Sequence, residues 1–343
     1  MADYRNPGLK KKKYLKYLPV ILILLGAAVV ILVFVIGFIN KSHKEAEASV
    51  LTSDGNSTVL DATVYYNGKN YKYNDHLTNY LFLGIDNEEQ KETKAGLADA
   101  GQADTIFLLS YNRMDGSVKL LSIPRDTMTE VESFDLQGNS LGTSINHLNL
   151  AYAYGDGSFG SCQLQKEAVS NLLYGVPIQN VCALNMDVIP VLAEAVGELT
   201  VTVPDDSLES ESDEFPSGAQ VVLTKDNTEK FLRGRDTSAD FSAINRQNRQ
   251  NVYLQAYKEK AAQLFARDPG FITDLYLKLS DHMVTSMSAD QFAEVMEAVL
   301  KGNVTSYTLP GESVATDLYD EYHVDETALY ELILNLFYEE TDS

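Results

Sequence analysis

The sequence is short of residues on which many extracellular folds and many enzymes depend. It contains no tryptophan, two cysteines and five histidines in 343 residues. Two cysteines cannot form a disulfide scaffold, so a hydrophobic core must hold the chain together. A single bridge between Cys162 and Cys182 stays open, although the helix predicted after Cys162 would carry the two thiols toward its opposite ends.

Several well-known catalytic motifs are absent as well. The histidines show neither an H-E-x-x-H pattern nor another spacing typical of paired metal ligands. His147 is more simply interpreted as a hydrogen-bonded polar residue than as a catalytic base. The sequence has no Walker A loop either. The catalytic mechanisms that depend on these motifs therefore have no support here.

Basic residues are scarce outside the N-terminus. The chain has 27 Lys and Arg against 49 Asp and Glu, which gives a formal net charge of −22. Six of the basic residues and one acid lie within the first sixteen positions, which leaves 48 acidic and 21 basic residues for the remainder. A protein that coats nucleic acid needs a basic face, so we expect no nucleic-acid partner.

One long uncharged run covers residues 17–39, directly after the basic cluster. About 20 apolar residues in a helix cross a bilayer core of about 30 Å. The positive-inside rule makes residues 1–16 a cytoplasmic tail, residues 17–39 a transmembrane anchor and the remainder extracytoplasmic. We therefore expect a single-pass type II protein of the cell membrane. The alternative is a cleaved signal peptide with its site at residues 46–48.

The remaining sequence predicts a stalk and a layered domain. Residues 40–76 are polar and are expected to form an extracytoplasmic stalk with a small hairpin around residues 65–68. Apolar runs of strand length then alternate with helical periodicity, and a turn at residues 112–116 joins two of the strands. This order predicts an α/β fold, a three-layer α/β/α arrangement with a mixed central β-sheet, over residues 77–268. Residues 269–343 are predicted to form a helical C-terminal extension.

Charged residues lie directly at the ends of the predicted strands. Asp86 comes directly after the first strand, Asp104 begins the second, and Arg125 follows the third. In an antiparallel arrangement these three positions meet at one edge of the sheet. Carboxylate oxygens are ligands that suit Mg²⁺ or Mn²⁺, so Asp86 and Asp104 are a candidate metal site. The alternative is that these residues only begin and end strands, as aspartates often do.

Four arginines lie within 17 residues of an otherwise acidic domain: Arg233, Arg235, Arg246 and Arg249. Positions 246, 249, 250 and 253 form one stripe of a helix, and this stripe continues into apolar residues. The arginines should therefore point toward the core. A guanidinium matches phosphate oxygens in a bidentate manner, so the cluster predicts a phosphate or pyrophosphate clamp. Ion pairs with Glu229, Asp236 and Asp240 are the structural alternative.

Several blocks of the sequence, taken in order, resemble the LytR–CpsA–Psr family. The resemblance covers about residues 77–265, and the order of the blocks makes it specific even though each block is short. The matching blocks are residues 79–86, 103–105, 121–127, 149–155, 165–169, 195–201, 233–235 and 246–250.

The resemblance implies a phosphotransferase on the outer face of the membrane. Such enzymes move a teichoic acid or capsule type glycopolymer from a polyprenyl-pyrophosphate carrier to a peptidoglycan hydroxyl and form a phosphodiester. It implies catalytic roles for Arg125, Asp104 and Arg249, a Mg²⁺ or Mn²⁺ ion on Asp86 and Asp104, and pyrophosphate contacts from Arg233, Arg235, Arg246, Gln250 and Lys166. Two alternatives stay open: a polyprenyl-pyrophosphate hydrolase that uses the same site, and a non-catalytic wall-binding or lipid-binding module.

Overall fold

A six-stranded mixed sheet lies at the centre of the protein, for which we analysed a computed structural model. The structure describes residues 63–87, 92–135, 137–209, 212–234, 242–302, 304–316 and 320–341, without the side chains of 242–247. Its strands, in spatial order, are β11 (Met283–Thr285), β8 (Asn180–Leu184), β3 (Leu77–Ile85), β4 (Ala103–Asn112), β5 (Val118–Ile123) and β12 (Val304–Thr308). β3 pairs in parallel with β8 and antiparallel with β4, so the sheet is mixed, as predicted.

Helices cover both faces of this sheet because alternate residues of its strands are apolar on both sides. Phe82 belongs to one buried cluster and Leu83 to the other. The first cluster packs against α3 (Val188–Val196), α5 (Ser242–Arg267), α6 (Phe271–Leu279) and α7 (Ala289–Leu300). The second packs against α1 (Leu150–Ala153), α2 (Phe159–Leu172) and α8 (Glu326–Phe337). A short helix, α4 (Thr228–Arg233), precedes α5, and a 3₁₀ turn, Ser280–His282, follows α6.

Four smaller sheets surround the central one. The additional strands are β1 (Val64–Tyr66), β2 (Lys69–Tyr73), β6 (Met128–Phe134), β7 (Ser140–His147), β9 (Leu199–Thr202), β10 (Gln220–Leu223), β13 (Gly311–Ala315), β14 (Asp320–Val324) and β15 (Tyr338–Thr341). The β6–β7 hairpin was not predicted, because β7 is mostly exposed and has no apolar alternation. It begins three residues after Arg125, beside the predicted site.

The chain on either side of the predicted domain is part of the same folded body. The hairpin expected around residues 65–68 is present, with positive φ at Asn67 and Gly68 as a tight turn requires. Its second strand, β2, pairs with β15, so this part of the predicted stalk is held by the C-terminus. The predicted extension, residues 269–343, is not only helical: its strands β11 and β12 form the two edges of the central sheet. Strands of three and five residues are too short to show a clear period.

Two further predictions concern the cysteines and the membrane. Cys162 and Cys182 are both buried and free. They belong to the two different core clusters on opposite faces of the sheet, which explains why they do not pair. The described residues contain no helix that combines the length and the apolarity needed to cross a bilayer. The predicted anchor, residues 17–39, lies outside them.

Candidate active site

The ends of three central strands meet at one edge of the sheet. The backbone carbonyl of Gln102 accepts hydrogen bonds from the N–H groups of Asp86, at 3.1 Å, and Asp104, at 3.0 Å. The N–H of Gln102 also donates to Oδ1 of Asp86 at 2.6 Å. The antiparallel pairing of β3, β4 and β5 thus places the first two carboxylates next to each other and beside the end of β5, as the sequence predicted.

Arg125 and Asp104 form a close ion pair at this edge. Nη1 of Arg125 lies 2.5 Å from Oδ1 of Asp104, and both side chains are partly buried. Burial raises the pKa of Asp104; Arg125 opposes this rise, whereas the negative charges of Asp86 and Asp126 add to it. Burial disfavours the charged form of Arg125, yet Asp104 and Asp126 hold its pKa above the ordinary value. The raised pKa makes Asp104 a stronger base than a free aspartate, and its two carboxylate neighbours favour the charged form of Arg125.

Asp126 and His147 extend this cluster. Oδ1 of Asp126 lies 3.3 Å from Nε of Arg125 and 3.6 Å from Nδ1 of His147. His147 is the last residue of β7. The β6–β7 hairpin returns the chain to the Arg125 segment and so brings His147 close to Asp126. The sequence separation of 21 residues between Asp126 and His147 hid this proximity, since only the unpredicted hairpin produces it.

The backbone on both sides of Arg125 is fixed by neighbouring segments. The carbonyl of Arg125 accepts a hydrogen bond from the N–H of Asn149 at 3.1 Å, and the carbonyl of Asp126 accepts one from Tyr322 at 2.8 Å. The segment therefore lies between the turn that joins β7 to α1 on one side and β14 on the other. The backbone that carries the Arg125 guanidinium is therefore held by rigid elements rather than by a free loop.

Arg249 belongs to a second cluster, built by α4, α5 and the loop after β9. Its side chain is about 1% exposed. Nε donates to the carbonyl of Phe231 at 3.0 Å, Nη1 donates to Oγ of Ser207, and Nη2 donates to the carbonyl of Gly234. Oδ1 of Asp205 lies 3.5 Å from Nη1. The guanidinium is thus enclosed by protein oxygen atoms.

Gln250 and Arg233 lie next to Arg249. Nε2 of Gln250 donates to the carbonyl of Leu232 at 3.2 Å, whereas its Oε1 is buried without a hydrogen-bond partner in the described part of the chain. Nη1 of Arg233 lies 2.5 Å from Oε1 of Glu229, one helical turn earlier, and the side chain is about one-third exposed. The ion pair with Glu229 is one of those that the structural alternative named. The loop residues Asp205 and Ser207 were not predicted to take part.

The predicted site residues therefore fall into separate groups. Asp86, Asp104 and Arg125 form one group, and Arg233, Arg249 and Gln250 form another. Among the described residues, no hydrogen bond or ion pair joins the two groups, and none joins Lys166 of α2 to either. Arg235 and the side chain of Arg246 lie outside the described part of the structure.

The carboxylates of the first group limit the kind of metal site that is possible. The described residues hold no group of three or more His, Cys, Asp or Glu side chains placed to bind an ion. A site with two carboxylates, Asp86 and Asp104, still fits Mg²⁺, because this ion keeps several waters and takes further oxygens from substrate phosphates. Burial raises the pKa of Asp104 and the negative charge of Asp86 adds to this rise; a cation held by the two carboxylates would relieve their repulsion.

A glycine pattern at residues 155–160 does not form a phosphate site. Its spacing, G-x-G-x-x-G, precedes α2 and is found at the phosphate-binding helix of dinucleotide-binding folds. Here it follows helix α1 rather than a strand. Oδ1 of Asp156 accepts hydrogen bonds from the N–H groups of Ser158, at 2.8 Å, and Ser161, at 3.0 Å. The helix N-terminus is therefore occupied by the protein's own carboxylate.

Comparison with known proteins agrees with this fold and these motifs. The chain is 28% identical over 249 residues to the polyisoprenyl-teichoic acid–peptidoglycan teichoic acid transferase TagU of Halalkalibacterium halodurans, a match that covers 68% of this chain and 75% of that protein. It is 30% identical to the protein of the same name from Bacillus cereus, over 68% of this chain and 72% of the relative.

Among solved structures, the protein gbs0355 from Streptococcus agalactiae has the same fold. The two superpose with a TM-score of 0.55 at 20% identity, over 77% of this chain and 90% of that one. The sequence profile of the LytR_cpsA_psr family matches residues 33–337, which include β3, the Arg125 segment, α5 and the C-terminal strands up to the end of α8. This chain therefore belongs to the LytR_cpsA_psr family.

Proposed function

We propose that this protein is a cell-wall transferase that attaches a glycopolymer of the teichoic acid type to peptidoglycan. Family membership and the names of the relatives, teichoic acid transferases, support this class of reaction. In the finer form of the proposal, the donor is a glycopolymer linked by pyrophosphate to a polyprenyl lipid. The acceptor is a hydroxyl group of peptidoglycan, and the product is a phosphodiester.

The observation that carries the proposal is the Arg125–Asp104 pair at an accessible sheet edge. Arg125 is about 30% exposed, so its guanidinium can take phosphate oxygens as partners in addition to the carboxylate. Asp104 has a raised pKa and is a suitable acceptor for the proton of a hydroxyl group. A cation and a base held side by side are what transfer of a phosphoryl group to a hydroxyl requires.

The proposed transfer exchanges one phosphorus–oxygen bond for another. The acceptor oxygen forms a bond to the phosphorus that carries the glycan, and its proton passes to Asp104. The bond between that phosphorus and the bridging oxygen breaks, and the lipid leaves as a polyprenyl phosphate with the electron pair. Arg125 stabilises the negative charge that develops on the phosphoryl oxygens.

A Mg²⁺ or Mn²⁺ ion is part of the proposal. Asp86 and Asp104 would hold it, and when bound it would neutralise charge on the pyrophosphate oxygens. Arg233, Arg235, Arg246 and Lys166 remain predicted pyrophosphate contacts. The anchor at residues 17–39 would keep the domain beside the membrane that contains the lipid carrier, on its outer side.

A reconstituted transfer reaction tests the proposal. The full chain in detergent or vesicles is mixed with a polyprenyl-pyrophosphate glycan, radiolabelled in the phosphate next to the sugar, and with peptidoglycan. Label on the peptidoglycan supports the transferase. Release of labelled glycan phosphate into solution, with none on the peptidoglycan, would indicate the hydrolase instead. If neither product forms, the result would indicate a non-catalytic binding module.

Two variants and chelation refine this reaction. Arg125→Lys should reduce transfer strongly, because lysine lacks the planar fork that binds two phosphate oxygens. Arg113→Lys is the matched control, since Arg113 binds the backbone carbonyls of Asp75 and His76 at the β4–β5 turn. Removal of divalent ions with EDTA should stop transfer, and Asp86→Asn should raise the Mg²⁺ concentration needed to restore it. Transfer that persists unchanged in EDTA would exclude the metal.

A further inference from the structure

The surroundings of Arg249 are those of a buried backbone clamp. Three of its nitrogen atoms donate to the carbonyls of Phe231 and Gly234 and to the hydroxyl of Ser207. Arg249 as a whole is fully buried. A phosphate could reach this guanidinium only after these acceptors had been displaced and left without donors, which is unfavourable in a buried site.

Gln250 acts on the same stretch of backbone. Its Nε2 donates to the carbonyl of Leu232, between the two carbonyls that Arg249 holds. The last carbonyls of a helix have no partner within the helix and need donors from elsewhere. Here two consecutive side chains of α5 supply these donors to the end of α4, and the positive charge lies at the favourable end of the helix dipole.

Gly234 gives an independent sign that this backbone is tightly fixed. A Cβ atom added at position 234 would lie 2.5 Å from Cδ2 of Leu208 and 2.7 Å from the carbonyl oxygen of Lys230. Leu208 is itself buried beneath this contact. The backbone at 234 therefore passes between α4 and the loop at 205–208, where only glycine fits without displacement.

We propose that Arg249, together with the Nε2 contact of Gln250, fixes the end of α4 and thereby presents Arg233. Arg249 is then a positioning residue rather than a ligand of the phosphate. Arg233 is the last residue of α4, is about one-third exposed, and directly precedes the clamped Gly234. The inference rests on the proposed function in so far as Arg233 is to meet a phosphate. The clamp itself is a property of the substrate-free protein.

Amide hydrogen exchange of the full chain without substrate tests the clamp. Arg249→Lys should speed exchange of the amides at 228–234 by about 10- to 100-fold, because one ammonium cannot replace several charged hydrogen bonds. Gly234→Ala should speed exchange of the same amides, although it removes no charge. Arg113→Lys, which changes an arginine that also holds backbone carbonyls, should leave them unchanged. If Gly234→Ala does not fold, Ser207→Ala, which removes one acceptor of Arg249, takes its place.

Binding of inorganic pyrophosphate, followed by calorimetry, separates positioning from direct contact. If Arg249 positions Arg233, then Arg249→Lys and Gly234→Ala weaken pyrophosphate binding to a similar degree, and the double variant is no weaker than either. Arg233→Lys weakens binding without changing exchange at 228–234. The inference is overturned if Arg249→Lys abolishes binding while exchange stays at the wild-type rate and Gly234→Ala binds normally. Failure of the wild type to bind pyrophosphate would count against the proposed function, while the exchange result would still decide whether the clamp exists.

Discussion

Arg125 and Arg249 belong to the same predicted phosphate site in the sequence but have different surroundings in the fold. Arg125 is about 30% exposed and pairs with the carboxylates of Asp104 and Asp126. Arg249 is about 1% exposed and donates chiefly to backbone carbonyls and a hydroxyl. An arginine with carboxylate partners at an open edge can add a phosphate to its contacts. An arginine enclosed by carbonyls is part of the structure that holds other residues in place.

The position of each arginine in its element explains the difference. Arg125 follows the last residue of β5, where the sheet ends and solvent begins. Arg249 lies on the inward stripe of α5, together with Tyr253 and Tyr257, whose rings are 5.8 Å apart in the core. This face of α5 turns inward, as predicted from the sequence. An inward arginine, however, can meet carbonyls as readily as a ligand.

The largest effect should come from Arg249→Ala, measured as stability. Truncation leaves the carbonyls of Phe231 and Gly234 buried without donors and Asp205 without its cation, at a cost of about 3–5 kcal/mol. This loss of stability should lower the urea concentration at the midpoint of unfolding. Arg113→Ala, at a turn, should cost less than about 1 kcal/mol. Equal midpoints for the two variants would contradict the clamp and remove the contrast with Arg125.

Arg125→Ala should act on transfer more than on folding. Loss of the guanidinium removes the proposed phosphate partner and leaves Asp104 facing Asp86 and Asp126, and a desolvated charged partner contributes about 2–5 kcal/mol. We expect transfer to fall about 30-fold or more, while urea denaturation changes less than for Arg249→Ala. A variant that unfolds but retains its transfer rate per folded molecule would reverse the two assignments.

The raised pKa of Asp104 predicts an unusual dependence of stability on pH. The folded protein binds this proton more tightly than the unfolded chain, so the stabilisation is complete below the ordinary carboxyl pKa and is lost as the pH rises through the folded-state pKa. In Asp104→Asn the side chain at this position is uncharged at every pH. The unfolding free energy of this variant, relative to wild type, should therefore increase as the pH rises across that window.

Asp115→Asn provides a control of opposite sign for this measurement. Hydrogen bonds from Ser117 lower the pKa of Asp115, so its carboxylate stabilises the fold above the ordinary pKa, and this contribution is lost as the pH falls through the folded-state pKa. The variant should lose stability relative to wild type as the pH rises. If the unfolding free energies of the two variants, relative to wild type, change in the same direction with pH, burial does not dominate the pKa of Asp104.

The smallest effect should come from Glu229→Gln. Its ion pair with Arg233 is a partly exposed contact within one helix, and such pairs contribute about 0.5 kcal/mol or less. The unfolding midpoint should barely change. Pyrophosphate binding should be retained or improved, since Arg233 loses a competing partner. A large loss of stability would mean that Arg233 resembles Arg249 more than Arg125.

The mixed sheet and the meeting of Asp86, Asp104 and Arg125 could be predicted from the sequence, because both follow from strand periodicity and from antiparallel pairing between neighbours in the chain. The family could be predicted from the order of its short sequence blocks. The contacts of Arg249 on α5 could not be predicted in this way, since Phe231 and Ser207 reach it from other elements. The same holds for His147 beside Asp126 and for β11 and β12 at the sheet edges: these contacts depend on packing between distant segments, which a local pattern does not encode.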